Sequence, residues 1–138
     1  MKQLKKNYMH IPECIMNNDK LKAMFEQQEN FMHLLRQHRS FPDWPIDITT
    51  KKGQQFCREI VFNSVEEYFE ALQHLKNWKS HRVTEIKNIQ KDKFVEELCD
   101  MLHYFFELAI VVGVTPAELY EAYMKKGKIN ENRIKSGY

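Results

Sequence analysis

Glycine and proline are scarce in this chain, each occurring four times in 138 residues. Turn-rich β folds and collagen-like repeats depend on them, so their scarcity excludes those classes and points to long helices. Cysteine is rarer still. Cys14, Cys57 and Cys99 are odd in number, far apart and without a Cys-x-x-Cys pair. That pattern excludes a disulfide framework and fits core thiols in a reducing cytosol. The most apolar segment, residues 98–114, is short for a membrane span and is interrupted by Asp100, His103 and Glu107. The basic N-terminal stretch has no apolar run behind it, so no secretory signal is expected, and the chain reads as a soluble cytoplasmic protein. Charge of one sign is lacking too: 21 basic and 19 acidic residues leave +2, which argues against a polyanion binder built on bulk charge.

What the chain does have is apolar bulk. Hydrophobic residues make up 43% of it, with nine Phe and seven Met. A domain of this length typically buries ~68–70% of the surface its unfolded chain would expose, without need of a disulfide or metal staple. Residues 1–17 read as an irregular lead-in interrupted by Pro12. From Asn18 to about Arg39, Leu21, Met24, Phe25, Phe31, Leu34 and Leu35 recur at helical spacing, with Asn18 or Asp19 as N-cap. Pro42 and Pro45 break the pattern. It resumes near Thr50 and runs through Phe56, Ile60, Val65, Phe69 and Leu75, weakened at Gly53 and Asn63-Ser64, which leaves one kinked helix or two. Residues 79–90 are a loop or a short helix. The stretch 91–112 is apolar nearly all round, the mark of a central helix packed on several neighbours or on another subunit. After Gly113, Thr115-Pro116-Ala117-Glu118 carries a capping box with Pro at the first helical position. The last helix is expected to give way near Gly127 to a basic tail, residues 125–138. These elements make a single all-α domain over residues 1–138, a compact bundle of four or five helices.

Two acidic patterns lie on the two most apolar helices: Glu66-Glu67-x-x-Glu70 and Glu96-Glu97-x-x-Asp100. Residues three or four apart on a helix share a stripe, so each pattern stacks like charges that repel unless a cation lies between them. Facing carboxylates from two helices give the oxygen-only ligand set that Mg²⁺ prefers. The plainer reading is a solvated helix face, and on spacing alone both stay open. His103 follows Asp100 by three, resembling the Glu-x-x-His pattern of di-iron bundles. That architecture needs the pattern twice, and near Glu70 the only histidine is His74, so a hydrogen-bonded core histidine is the simpler state. At the other end, Lys125, Lys126, Lys128, Arg133 and Lys135 face the single acid Glu131. They read as a solvated end, as a phosphate clamp or, less well, as a nucleic-acid contact.

Taken together, Glu67-x-x-Glu70, a spacer of 26 residues and Glu97-x-x-Asp100 resemble the metal-binding pattern of the all-α NTP pyrophosphatases, the MazG-like superfamily. Glu96-Glu97-x-x-Asp100-x-x-His103, with Trp78-Lys79 after the first acidic helix, resembles the dimeric all-α dUTPase branch. Tyr123, Lys126, Asn130, Arg133 and Gly137-Tyr138 match that branch's ending, which phage dCTP/dUTP pyrophosphatases share. Gln28, in Met24-Phe25-Glu26-Gln27-Gln28, stands where the family's first helix contacts the base. The resemblance covers residues 64–138 well and the first half thinly. The interval before Trp78 is shorter than the branch's, which leaves Glu66 as an alternative to Glu67, and the chain has room only for the minimal core.

The resemblance implies Mg²⁺-dependent hydrolysis of a deoxynucleoside triphosphate between its α and β phosphates. Glu67, Glu70, Glu97 and Asp100 would hold Mg²⁺ and serve the attacking water. Lys126, Asn130 and Arg133 would hold phosphates, Gln28 would hold the base, and Trp78, Lys79 and His103 would complete the substrate site. The leading expectation is a dUTP pyrophosphatase yielding dUMP and pyrophosphate, with a broader dNTP or dCTP pyrophosphatase as its near variant. From another class comes a non-enzymatic helical module binding nucleic acid or a partner through the basic tail. The apolar circumference of 91–112 further predicts a homodimer or higher homo-oligomer.

Overall fold

The structure is a computed structural model, and it describes residues 19–83 and 89–137. The irregular lead-in, Cys14 and the terminal Tyr138 of the matched ending lie outside the described residues; of the other cysteines, Cys57 is half-buried and Cys99 exposed, so neither is the core thiol expected. Among the described residues four helices follow in order: α1 Lys20–His38, α2 Lys51–Gln73, α3 Lys91–Val111 and α4 Pro116–Lys135. No strand occurs among the described residues, and the all-α expectation holds.

Local chemistry sets the helix ends. The Asp19 carboxylate accepts from the Lys22 N–H at 3.2 Å and caps α1, satisfying one of the donors every helix start leaves open. The prolines then turn the chain, and the Ile46 N–H donates to the Val111 carbonyl at 2.8 Å, tying this connection to the end of α3. Thr50 caps α2 by accepting from the Gly53 N–H at 3.0 Å. Gly53 does not weaken the helix; it lets the helix start where it does. A Cβ there would lie 2.2 Å from the Asp47 carbonyl oxygen, so the first turn of α2 can sit on the preceding turn only without a side chain. Asn63-Ser64 does not break α2 either, and one helix of 23 residues results. The described part of 79–90 is turn and coil, with the Arg82 N–H donating to the Lys79 carbonyl.

Gly113 takes the left-handed conformation at φ 82° and ends α3. The predicted capping box follows: Thr115 Oγ1 accepts from the Glu118 N–H, and the Glu118 carboxylate accepts from the Thr115 N–H at 2.8 Å. The expected stop near Gly127 does not occur. The helix continues through it to Lys135, because one interior glycine costs only about 1 kcal/mol. The neighbouring sequence favours helix, and Arg133 and Lys135 in the last turn complement the helix dipole. The basic tail is therefore largely an ordered helix end.

The core joins Phe25 and Met32 of α1, Ile60 of α2, and Phe106, Ala109, Ile110 and Val111 of α3. Phe25 and Phe106 lie tilted with ring centroids 5.0 Å apart. The central role expected of 91–112 applies to its second half only: the buried residues of α3 run from Phe106 to Val111, while Val95 and Phe105 stay exposed. None of the residues of α4 is buried. No single helix among the described residues is long and apolar enough to cross a membrane; α3 and α4 pass that test only jointly, across a bend of 110°.

Candidate metal centre and adjoining cavity

Helices α2 and α3 lie against each other in opposite directions. Ile60 shares the core with Phe106, Glu67 feels the charge of Asp100, and His74 meets Glu97. This antiparallel register converts two patterns distant in sequence into one acidic cluster. Glu67, Glu70 and Glu97 each present a carboxylate oxygen within 4.8 Å of the others. Asp100 is near enough for its charge to act on Glu67. The Glu67 carboxyl is pushed above the ordinary carboxylate range, first by burial and then by the charges of Glu70, Asp100, Glu97 and Glu66. Of the two candidates for the first position, Glu67 and not Glu66 contributes to the cluster.

The donor chemistry fits a hard divalent cation. All the clustered ligand atoms are carboxylate oxygens, the type Mg²⁺ takes in helical bundles and at phosphate sites. Ion pairs of the described lysines and arginines include Lys22 with Glu26, Arg36 with Asp43, and Lys128 with Glu131, all away from the cluster. A histidine does approach it: His74 Nε2 donates to Glu97 Oε1 at 3.2 Å, which orients that carboxylate.

The cluster opens on a cavity of about 600 Å³ between α1, α2 and α3, whose polar lining is Gln28, Arg39, Ser40, Glu59, Asn63, Glu67, Asp100, His103, Tyr104 and Glu107, the rest being apolar. Gln28 is 1% exposed. Its Oε1 accepts from His103 Nδ1 at 2.7 Å, and its Nε2 has no hydrogen-bond partner among the described residues. Turning the amide over would swap the atoms and still leave one of them without a partner. His103 thus bonds to Gln28 as a hydrogen-bonded histidine, but it is an exposed residue and not the core histidine expected. Tyr104 is held protonated to higher pH by burial and by the negative charges of Glu67, Glu107 and Asp100.

Other expected site residues are not brought here. Trp78 packs against Phe69 with centroids 6.1 Å apart, and Lys79 Nζ lies 5.2 Å above the Trp78 ring. Neither lines the cavity. Lys126, Asn130 and Arg133 are exposed on α4, and none of them lines it. The base that does line the cavity is Arg39, just past the end of α1. The cavity also contains residues that sequence reading passed over. Asn63 lies four residues before Glu67, and Glu107 lies four after His103 and seven after Asp100. The helical stripe through each acidic pattern was the signal for both. No family model matches the chain, and neither do curated proteins or solved structures.

Proposed function

We propose that this protein is a cytoplasmic Mg²⁺-dependent pyrophosphohydrolase acting on dUTP, with dCTP or a broader set of dNTPs as the nearest variant. The observation carrying this reading is the joining of Glu67, Glu70 and Glu97 at the mouth of a cavity that holds the half-satisfied Gln28 amide. Glu67, Glu70, Glu97 and Asp100 would hold Mg²⁺. When bound, the ion supplies charge neutralisation at the phosphates and a lowered pKa for the attacking water. The chain does the rest. One clustered carboxylate takes the proton of the water as its oxygen attacks phosphorus. The bridging bond between the α and β phosphates then breaks, and pyrophosphate leaves. His103 holds the Gln28 amide in one orientation, so that its other end meets the base.

Phosphate binding in this reading needs a second copy of the chain, which also accounts for the apolar surface. Phe62 is 58% exposed on α2 and Tyr123 is 75% exposed on α4, and Tyr68, Phe69, Phe105, Tyr120 and Met124 are exposed as well. Apolar surface on this scale marks an interaction face. A homodimer would cover it and could bring Lys126, Asn130 and Arg133 of one chain to the acids of the other. Light scattering at micromolar concentration is expected to give twice the chain mass or more, and a monomer would contradict this. Activity is tested by pyrophosphate release from a panel of dNTPs with Mg²⁺. The expected result is turnover, fastest with dUTP or dCTP. No turnover, together with duplex binding that falls steeply with salt, would replace the enzyme with a nucleic-acid-binding module.

A further inference from the structure

Beyond the acidic cluster and the Gln28–His103 pair, a further largely buried carboxyl lines the cavity. Glu107 is 8% exposed. It sits on α3 beside the core residues Phe106, Ala109 and Ile110, lines the same cavity as Gln28, and has no hydrogen-bond or ion-pair partner among the described residues. Buried polar groups without partners are costly and are ordinarily satisfied. Here the Gln28 Nε2 on α1 is such a group, and with the Glu107 carboxyl on α3 it opens on one space whose remaining walls include the flat rings of Phe31, Phe56 and Tyr104. The ligand that satisfies both carries hydrogen-bond donors and acceptors along one edge and a flat apolar face.

We infer that Glu107 is a base-reading residue, holding with Gln28 the Watson–Crick edge of a pyrimidine in this cavity. The assignment rests on the nucleotide reading above and adds to it the residue that selects the base. A carboxylic acid offers a hydroxyl donor and a carbonyl acceptor side by side. That pair is complementary to the N3–H and adjoining carbonyl of uracil, and equally to N3 and the 4-amino group of cytosine. Glu107 therefore admits both bases, and Gln28 supplies the further contact to a ring carbonyl. Burial pushes the Glu107 carboxyl up to about 7, so the hydroxyl donor is present at and below neutral pH. The other ionisable groups on the cavity wall are Arg39 at the end of α1, Glu59 and Glu67 on α2, and Asp100, His103 and Tyr104 on α3.

The test is calorimetric titration of dUMP, dCMP and dAMP into the full chain with Mg²⁺ at pH 6 and pH 8.5. Glu107→Gln keeps a donor and an acceptor at every pH. It should bind dUMP and dCMP as the parent does at pH 6, and at pH 8.5 it should bind them about tenfold more tightly than the parent. Glu107→Leu should lose about tenfold for both pyrimidines at pH 6 and much less for dAMP. Equal pH dependence in the parent and Glu107→Gln would overturn the assignment, and so would an equal loss for dAMP. The first criterion stands even if Glu107→Leu fails to fold. Because binding is read without turnover, the two readings fail separately. An inactive chain that still binds pyrimidines through Glu107 overturns only the hydrolysis, and an active chain whose Glu107 variants bind normally overturns only this inference.

Discussion

Glu67→Gln is expected to lower kcat for pyrophosphate release by on the order of 10²–10³-fold while making the chain more resistant to heat in the presence of a chelator. The two effects have one cause. Glu67 sits between Glu70, Glu97 and Asp100, and its carboxyl is pushed upward by burial and by their charges. A carboxyl whose pKa is higher folded than unfolded favours folding below its unfolded value and opposes folding as pH rises through the folded one. At neutral pH, without a cation, Glu67 is on the opposing side. The neutral amide keeps its shape and removes the repulsion, which is worth about 0.2–0.5 kcal/mol for each close pair on a helix surface. The gain should vanish near pH 4, where the parent carboxyl is protonated as well. Mg²⁺ reverses the order: an ion bound only by the folded parent adds about 2.7 kcal/mol at a hundredfold excess over its dissociation constant, and the variant loses much of that. Thermal melts in EDTA and in Mg²⁺, read beside the turnover assay, check all of this. A variant less stable than the parent in EDTA would mean that Glu67 serves the fold and not a cation.

Much of this arrangement was legible in the sequence because it follows short-range rules. The stops at Pro42 and Gly113 and the capping box at Thr115 each depend on a few neighbouring residues, and all occur. The acidic cluster needed one further step, the antiparallel pairing of α2 with α3, which two amphipathic helices of similar length make readily. Where local rules gave no answer, long-range contacts decided. Gly53 looks like a flaw in a helix until Asp47 is seen against it. Gly127 looks like an end, but it stands in open space with nothing within 4 Å, and the helix runs on. Glu107 gave the least warning. In sequence it is one acid interrupting an apolar run; its place on the stripe of Asp100 and His103 is the one signal, and the meeting of three helices turns that stripe to a cavity.

Phe106→Ala is expected to destabilise the fold by about 3–5 kcal/mol, without touching any acidic residue. Phe106 is where α1 and α3 lock together, its ring tilted against Phe25 with centroids 5.0 Å apart and edge-on to Phe105 at 5.6 Å. The described core is small, with seven buried hydrophobic residues in its main cluster, so little surrounding mass can collapse into the space the ring leaves. Against the 5–15 kcal/mol that holds a typical domain, such a loss leaves the chain near its unfolding threshold at 37 °C. The site depends on the same residue, since Glu107 and His103 are placed by the turn of α3 that Phe106 anchors. Urea unfolding followed by far-UV circular dichroism measures the loss. At 10 °C, where the variant remains folded, its turnover should fall far less than that of Glu67→Gln. A loss under 1 kcal/mol would show that α1 and α3 are held together elsewhere, by surfaces exposed in the single chain and covered by a second copy.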